Sequence, residues 1–383
     1  MKIGFISTYF YPFIGGAEAN CYNIAKKLSK NHEIHIFTSD RKDKHIVLKR
    51  EEKLNNKIFV HRSKTIFRYK YYFGFYPEML IKLLKQDLDI LQVHSLGFIW
   101  HDICIIIKKI MSPKTKFIIT PHGPFMALKS YPLWQIILKK IVELFEKRIN
   151  GIYDLVIQVN PYQYKWLKDY NFKQEKITYI PNGINKEIFK NSNKSNFLKK
   201  YNLKNKFIIS YIGRIHEYKG IQNVLKVLPE IVKIKKNLVF IIMGQDAGYL
   251  SEIKSQIKKL KIENSVKILE NVSEIEKLEC LEASEIFIMP SEWEAFGITI
   301  LEAMSKRNAI ISTETEGGKF LVSEENGLLY KFKDIKKLEL NLTKLTFDKN
   351  LREHMQRNNL MKSKEFTWDK ISENIEKEYK KLR

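Results

Sequence analysis

Continuous apolar runs, not alternating ones, recur through the first half of the chain: Ile3 to Ser7, Glu33 to Thr38, Ile90 to His94, Phe117 to Thr120, Leu155 to Val159 and Ile177 to Ile180. A strand exposed on one face alternates apolar with polar residues, whereas a strand covered on both faces does not. These runs therefore predict parallel strands with helices packed on either side. A polar stretch rich in Asn and Lys, Asn185 to Lys206, breaks the rhythm and is the predicted linker. The rhythm resumes with Phe207 to Tyr211, Leu238 to Met243, Val266 to Leu269, Ile286 to Met289 and Ala309 to Ser312. The expected fold class is α/β, with two doubly wound, Rossmann-like domains in tandem divided near 188/189. Ligands in such sheets sit beyond the carboxyl ends of the strands, so two facing domains would place their loops around a shared cleft.

The junctions between apolar runs and helical segments carry the candidate chemistry. Pro290 to Glu302 joins the end of the strand Phe287-Ile288-Met289 to a helix predicted from Gly297 to Met304. The unpaired N–H groups of that helix's first turn suit an anion. Glu294 precedes the helix and Glu302 is expected two turns into it, giving two acceptors for neutral hydroxyls around a central phosphate, the layout of a sugar nucleotide. The alternative is that Glu302 is a solvated helix carboxylate and Glu294 only complements the helix dipole.

Gly213-Arg214 and Lys219-Gly220 also follow a strand and precede a helix. Arg214 can grip phosphate oxygens through two parallel hydrogen bonds while Lys219 adds a compact point charge, although isolated cations are common on the surface of this chain. After the first strand, Gly15 and Gly16 lie in Pro12 to Glu18, where paired glycines allow close backbone approach, or serve a purely conformational turn. Neither a dinucleotide fingerprint nor a P-loop follows. His122, in Pro121-His122-Gly123 at a strand end, can donate to a substrate hydroxyl or move a proton. His94 has a similar address, though most such histidines are structural. Asp87-Leu88-Asp89 resembles a metal-binding acidic pair, yet it precedes a strand on the far side from the cleft and lacks further ligands, so no metal site is expected.

Composition adds a polarity between halves. Net charge is +24 over 383 residues; residues 1–190 hold 32 Lys and Arg against 16 Asp and Glu, and residues 191–383 hold 35 against 27. The excess in the first half implies an anionic partner there, or only a bias toward Lys throughout the chain. Cys21, Cys104 and Cys280 are too few and too scattered for a disulfide framework or a metal-ligand pattern, which suggests a reducing, cytoplasmic setting. Met1-Lys2-Ile3 runs directly into a strand, so no signal peptide is expected, and the apolar run Ile103 to Ile107 is too short to span a bilayer.

Together, Gly15-Gly16-Ala17-Glu18, Pro121-His122-Gly123, Pro181-Asn182-Gly183-Ile184, Gly213-Arg214 with Lys219-Gly220, and Glu294 with Glu302 resemble glycosyltransferase family 4 over nearly the whole chain. The resemblance implies a GT-B fold, a nucleotide-sugar donor linked to UDP or GDP, retention of anomeric configuration and no required metal or other cofactor. It implies that Arg214 and Lys219 bind the donor diphosphate. Glu294 would face the transferred hexose with the backbone N–H groups of Phe296, Gly297 and Ile298, and Glu302 would hold the ribose hydroxyls. Gly16 would approach the diphosphate from the first domain, where His122 would contact the donor sugar. The second domain, 189–365, would hold the nucleotide sugar, and residues 366–383 would form a terminal helix crossing back to the first domain. Two departures stand out. Lys306-Arg307-Asn308-Ala309 replaces a usual glycine and proline, and Lys319-Phe320 stands where a carboxylate commonly follows Gly317-Gly318.

The acceptor side is expected to be a glycan, a polysaccharide or a lipid-linked molecule. Residues Arg62 to Tyr76 interleave cations and aromatics, and Trp134 to Arg148 reads as an amphipathic helix; both suit peripheral attachment to an anionic cytoplasmic leaflet. The same interleaving also describes a single-strand nucleic-acid surface, but no nucleic-acid module surrounds it. A catalytically silent binding or scaffold protein of the same fold is a further alternative, against which Arg214, Lys219, Glu294 and Glu302 count together.

Overall fold

The apolar runs form two parallel sheets. The computed structural model describes residues 1–383 except 14, 43–44, 47–48, 70–72 and 127–130. The chain divides into one unit of Met1–Asn182 with Trp368–Arg383, and a second of Gly183–Thr367. The division falls at 182/183 and 367/368, slightly away from the 188/189 and 365/366 boundaries read from the sequence.

Among the described residues, the first unit's main sheet runs in the order Ile177–Tyr179, Leu155–Gln158, Lys116–Thr120, Ile90–His94, Lys2–Ser7, Glu33–Ser39, Ile58–Ser63, Glu51–Asn55. All neighbours are parallel except the last pair, an antiparallel hairpin on one edge. That hairpin escapes the apolar pattern because the edge strand is polar, with every residue exposed or half-exposed. Ser7 and Thr120 both pair with His94, so three adjacent strands end at one level. Cys21, Cys104 and Cys280 are buried free thiols.

The second unit repeats the plan in the order Val266–Leu269, Leu238–Met243, Phe207–Ile212, Ile286–Met289, Ala309–Thr313, Gly327–Tyr330, all parallel. The predicted linker, Asn185 to Lys206, is instead an ordered part of this unit. Its helix Lys194–Lys200 packs against the helix Glu274–Ala283. Three apolar side chains spaced along the polar stretch, Ile188, Phe197 and Leu203, are buried and fix it in place. A count of polar residues hides such anchors.

The chain rejoins the first unit in the helix Trp368–Lys381. Trp368, Ile371, Ile375 and Tyr379 recur at helical spacing, are all buried, and belong to the first unit's core with Ile3, Cys21 and Ile24. The helix packs on Gly16–Leu28, with Lys27 and Asp369 paired at 2.8 Å. Truncating a buried Trp removes apolar area and leaves a cavity. Trp368→Ala should destabilise the first unit by about 3–5 kcal/mol, measured by urea denaturation, while a substitution at exposed Lys377 leaves the midpoint unchanged.

Candidate active site

Each sheet reverses its strand order at one point, and the loops that leave that point carry the candidate residues. In the second unit the reversal lies between Phe207–Ile212 and Ile286–Met289. The loop after the first strand runs to the helix Ile221–Ile234 through Arg214, Tyr218 and Lys219, and the loop after the second runs to Ile298–Ser305 through Glu294. Gly220 has φ +72°, and a Cβ there would lie 2.0 Å from the Pro290 carbonyl oxygen, so this contact between the loops admits only glycine. The Glu292 N–H donates to the Tyr218 carbonyl at 2.7 Å and ties the same loops again.

This clamp brings Lys219 and Glu294 together, Nζ to Oε2 at 2.7 Å. Burial disfavours the Lys219 ammonium, but the Glu294 carboxylate more than compensates and raises its pKa above the ordinary lysine value. Arg214 donates from Nη2 to the Tyr218 hydroxyl at 2.7 Å, and both cations lie over the Tyr218 ring, Lys219 Nζ at 5.0 Å and Arg214 Cζ at 5.9 Å from its centroid. Tyr218 thus spaces the two positive charges. The sequence reading passed over it, although an aromatic four residues after Arg214 and beside Lys219 was the available signal.

The helix Ile298–Ser305 starts one residue later than predicted, with Gly297 as its N-cap at φ +81° and no side-chain cap. Glu302 is therefore its fifth residue, about one turn in rather than two. The N–H groups of Phe296, Gly297 and Ile298 donate to no described residue and cluster at the helix start. The Phe296 side chain anchors this loop against Phe320 and Phe366, with ring centroids 5.7 and 6.5 Å away. Phe320 stands where the resemblance led one to expect a carboxylate, so that position packs the loop here instead of carrying charge.

Glu302 accepts from Lys277 at 2.8 Å through Oε1, while its Oε2 is buried without a hydrogen-bond partner among the described residues. Lys277 also pairs with Glu274 at 2.7 Å; burial opposes its charge, but the two carboxylates hold its pKa well above the ordinary value. Glu302 is thus a partly buried carboxylate with a cation on one oxygen, not a solvated one. Lys277 lies on a separate helix, and no local spacing reveals it.

In the first unit the reversal lies between Lys2–Ser7 and Ile90–His94. The following loop contains residue 14, outside the described residues, and leads to the helix Gly16–Leu28 with Gly15 as its extended N-cap. A Cβ on Gly16 would meet nothing within 4 Å, so no contact with a described residue explains glycine there. His122 has φ +61° and lies beyond Thr120, half-buried, with its Nε2 3.1 Å from Nδ1 of the buried His94. Burial lowers His122 to about 4 and His94 well below the ordinary histidine value, so both rings are neutral near pH 7.

One further expectation needs correction, that of a surface segment from Arg62 to Tyr76. Arg62 is buried, donates to Glu52 at 2.6 Å and to the Tyr11 carbonyl at 2.7 Å, and Tyr76 is core; neither belongs to a surface segment. Lys70, Tyr71 and Tyr72 of that segment lie outside the described residues. Asp89 accepts the Lys2 N–H at 2.8 Å and pairs with Arg383 at 3.5 Å, a structural role. The helix Leu133–Ile149 does expose an apolar stripe, Leu133, Trp134, Ile137, Ile141 and Leu144. Among the described residues no helix is long and apolar enough to cross a membrane.

Residues 14–188 match the family described as Glycosyltransferase Family 4, and residues 193–360 match Glycosyl transferases group 1. An uncharacterized glycosyltransferase of Methanocaldococcus jannaschii is 25% identical over a 410-residue alignment covering 100% of this chain and 98% of that protein. Sucrose-phosphate synthase from Thermosynechococcus elongatus superposes with a TM-score of 0.81 at 19% identity, covering 100% of this chain and 98% of that one. Anabaena HepE, solved in complex with UDP and glucose, gives 0.77 at 18% identity with 100% of both chains covered. The chain belongs to the family 4 glycosyltransferases and has their GT-B fold of two Rossmann-like domains.

The substituted turn after Glu302 is rebuilt by side chains. Lys306 Nζ donates to the Lys190 carbonyl at 2.6 Å, to Ser192 Oγ and to Glu282, both at 2.9 Å, while the Asn308 amide closes on the Leu281 carbonyl at 2.7 Å. Lys306→Ala leaves Glu282 without its cation and the carbonyl without a donor. We expect a loss of about 3 kcal/mol from the second unit in chemical denaturation, with Lys306→Met losing the charge but keeping part of the packing.

Proposed function

We propose that the enzyme moves a hexose from a UDP- or GDP-linked donor, with retention of anomeric configuration, to a glycan, polysaccharide or lipid-linked acceptor. The observation that carries this reading is Glu302, whose buried Oε2 has no donor while Lys277 secures Oε1. A partly buried carboxylate oxygen without a partner is an acceptor suited to a ligand hydroxyl, and a nucleotide ribose supplies one. The anionic part of such a ligand finds Arg214, Lys219 and the N–H groups of Phe296, Gly297 and Ile298 around the same reversal point. HepE, of the same fold, is solved with UDP and glucose, which supports a ligand of that class.

In this reading the bond between the sugar carbon and the diphosphate oxygen breaks as the acceptor oxygen attacks from the same face. The acceptor's proton passes to the departing phosphate, so no protein nucleophile is needed. Negative charge grows on the diphosphate, and Arg214, Lys219 and the helix start meet it without reorganising. These cations supply the positive charge, so the scheme calls for no metal. Glu294, held by Lys219, faces the transferred sugar. On the first unit, the open space at Gly16 suits a phosphate close to the backbone, and His122 offers a hydrogen bond to the sugar.

We further read the exposed stripe of Leu133–Ile149, with Lys140, Lys147 and Arg148 on the same helix, as the contact with an anionic membrane surface on the cytoplasmic side. The chain should then float with anionic vesicles, and the double substitution Ile137→Glu, Ile141→Glu should abolish flotation without loss of fold. Flotation unchanged by that substitution refutes this contact.

Arg214→Ala and Lys219→Ala should each lower turnover about 100- to 1,000-fold, read as nucleoside diphosphate release, with the melting profile unchanged for Arg214→Ala and lowered for Lys219→Ala, which leaves Glu294 without its cation. Glu302→Ala should weaken UDP or GDP binding about tenfold in calorimetry, one hydrogen bond to a charged group. Undiminished nucleotide affinity in Glu302→Ala would remove the basis of the reading.

A further inference from the structure

His94 is the most confined histidine at the strand ends and has no part in the function proposed above. It is fully buried, its ring lies 5.6 Å from Phe5, and its strand position pairs with both Ser7 and Thr120. Its Nδ1 stands 3.1 Å from His122 Nε2, with the two rings 19° from parallel. Its Nε2 is buried and has no hydrogen-bond partner among the described residues. His122 reaches it from a left-handed backbone conformation, φ +61°, and among the described residues the His122 ring hydrogen-bonds through Nε2 alone.

We propose that His94 is a positioning residue for His122: its Nδ1–H donates to His122 Nε2 and fixes His122 in the tautomer that carries the proton on Nδ1. Two neutral imidazoles joined by one hydrogen bond have two arrangements. If His94 donates, its buried Nε2 is an idle lone pair. If His122 donates instead, His94 must carry its own proton on Nε2, a buried N–H with no acceptor. An orphaned buried donor is the costlier defect, so the first arrangement wins. Burial keeps both rings neutral, which removes a doubly protonated alternative near pH 7.

The consequence is directional. With its proton on Nδ1, His122 is a hydrogen-bond donor at its free nitrogen and cannot act there as a base. It suits a sugar hydroxyl oxygen rather than a proton to be abstracted, and so decides between the two roles open to a histidine at this address. This step rests on the reading that His122 meets the substrate; the tautomer itself does not.

Long-range proton–nitrogen NMR of the full chain with nitrogen-15-labelled histidine at pH 7 tests it. The His122 signals should show Nδ1 protonated and Nε2 bare. His94→Asn places an amide N–H where Nδ1 stood and should keep that pattern. His94→Leu should shift His122 toward the Nε2–H form that a free imidazole favours in water, and lower kcat/KM about tenfold. Wild-type His122 protonated on Nε2 overturns the proposal, as does an unchanged pattern in a folded His94→Leu; should that variant not fold, the wild-type spectrum decides alone. His122→Phe separates the two ideas, because full activity in that variant removes the substrate contact and leaves the tautomer result standing.

Discussion

Parallel strands covered on both faces leave almost nowhere for chemistry. Ile208, Ile209, Phe240, Ile241, Phe287 and Ile288 are all buried, so polar side chains that must meet a ligand are confined to the loops beyond the strand ends. At the reversal of strand order, helices leave toward opposite faces of the sheet, and in folds of this kind the loops beyond those two strands are where a ligand binds. The placement of Arg214, Lys219 and Glu294 follows from this constraint. The Gly220 backbone against Pro290 then sets how closely the two loops approach.

Charge in this site is held ready by opposite charge. Lys219 is secured by Glu294 and Lys277 by Glu302, both pairs partly withdrawn from water, where an unpaired ion would be costly, and the exposed Glu274 adds a second partner to Lys277. Such pairs are weak contributors to stability but strong organisers, because every rearrangement that separates them leaves a buried charge alone. In the proposed reading the cations are fixed before an anion arrives, which favours a transition state on which negative charge develops. In the first unit the corresponding device is neutral: a buried and a half-buried imidazole whose single shared proton gives the pair a direction.

The helix Trp368–Lys381 gives the fold a second kind of economy. The last segment of the chain completes the core of the first unit through Trp368, Ile371, Ile375 and Tyr379, so that unit is assembled from both ends of the sequence. Its stability depends on a long-range contact, whereas the second unit, Gly183–Thr367, is continuous.

Periodicity and glycine placement alone determined a good deal. Unbroken apolar runs named eleven of the strands nearly to the residue, since burial on both faces of most of them demands such runs, and the polar residues beyond them marked Arg214, Lys219, Glu294, Glu302 and His122 as candidates. The tertiary structure decided what depends on partners distant in sequence. Lys277 reaches Glu302 from another helix, Lys306 rebuilds a turn with Glu282 and Lys190, and Arg62 turns inward to Glu52 where a run of cations and aromatics had suggested a surface. The segment Asn185 to Lys206 became structure because Ile188, Phe197 and Leu203 found apolar partners that its own composition does not announce. A local pattern records which faces must leave water; which charge meets which, and which ring holds a proton, is settled only when remote segments pack together.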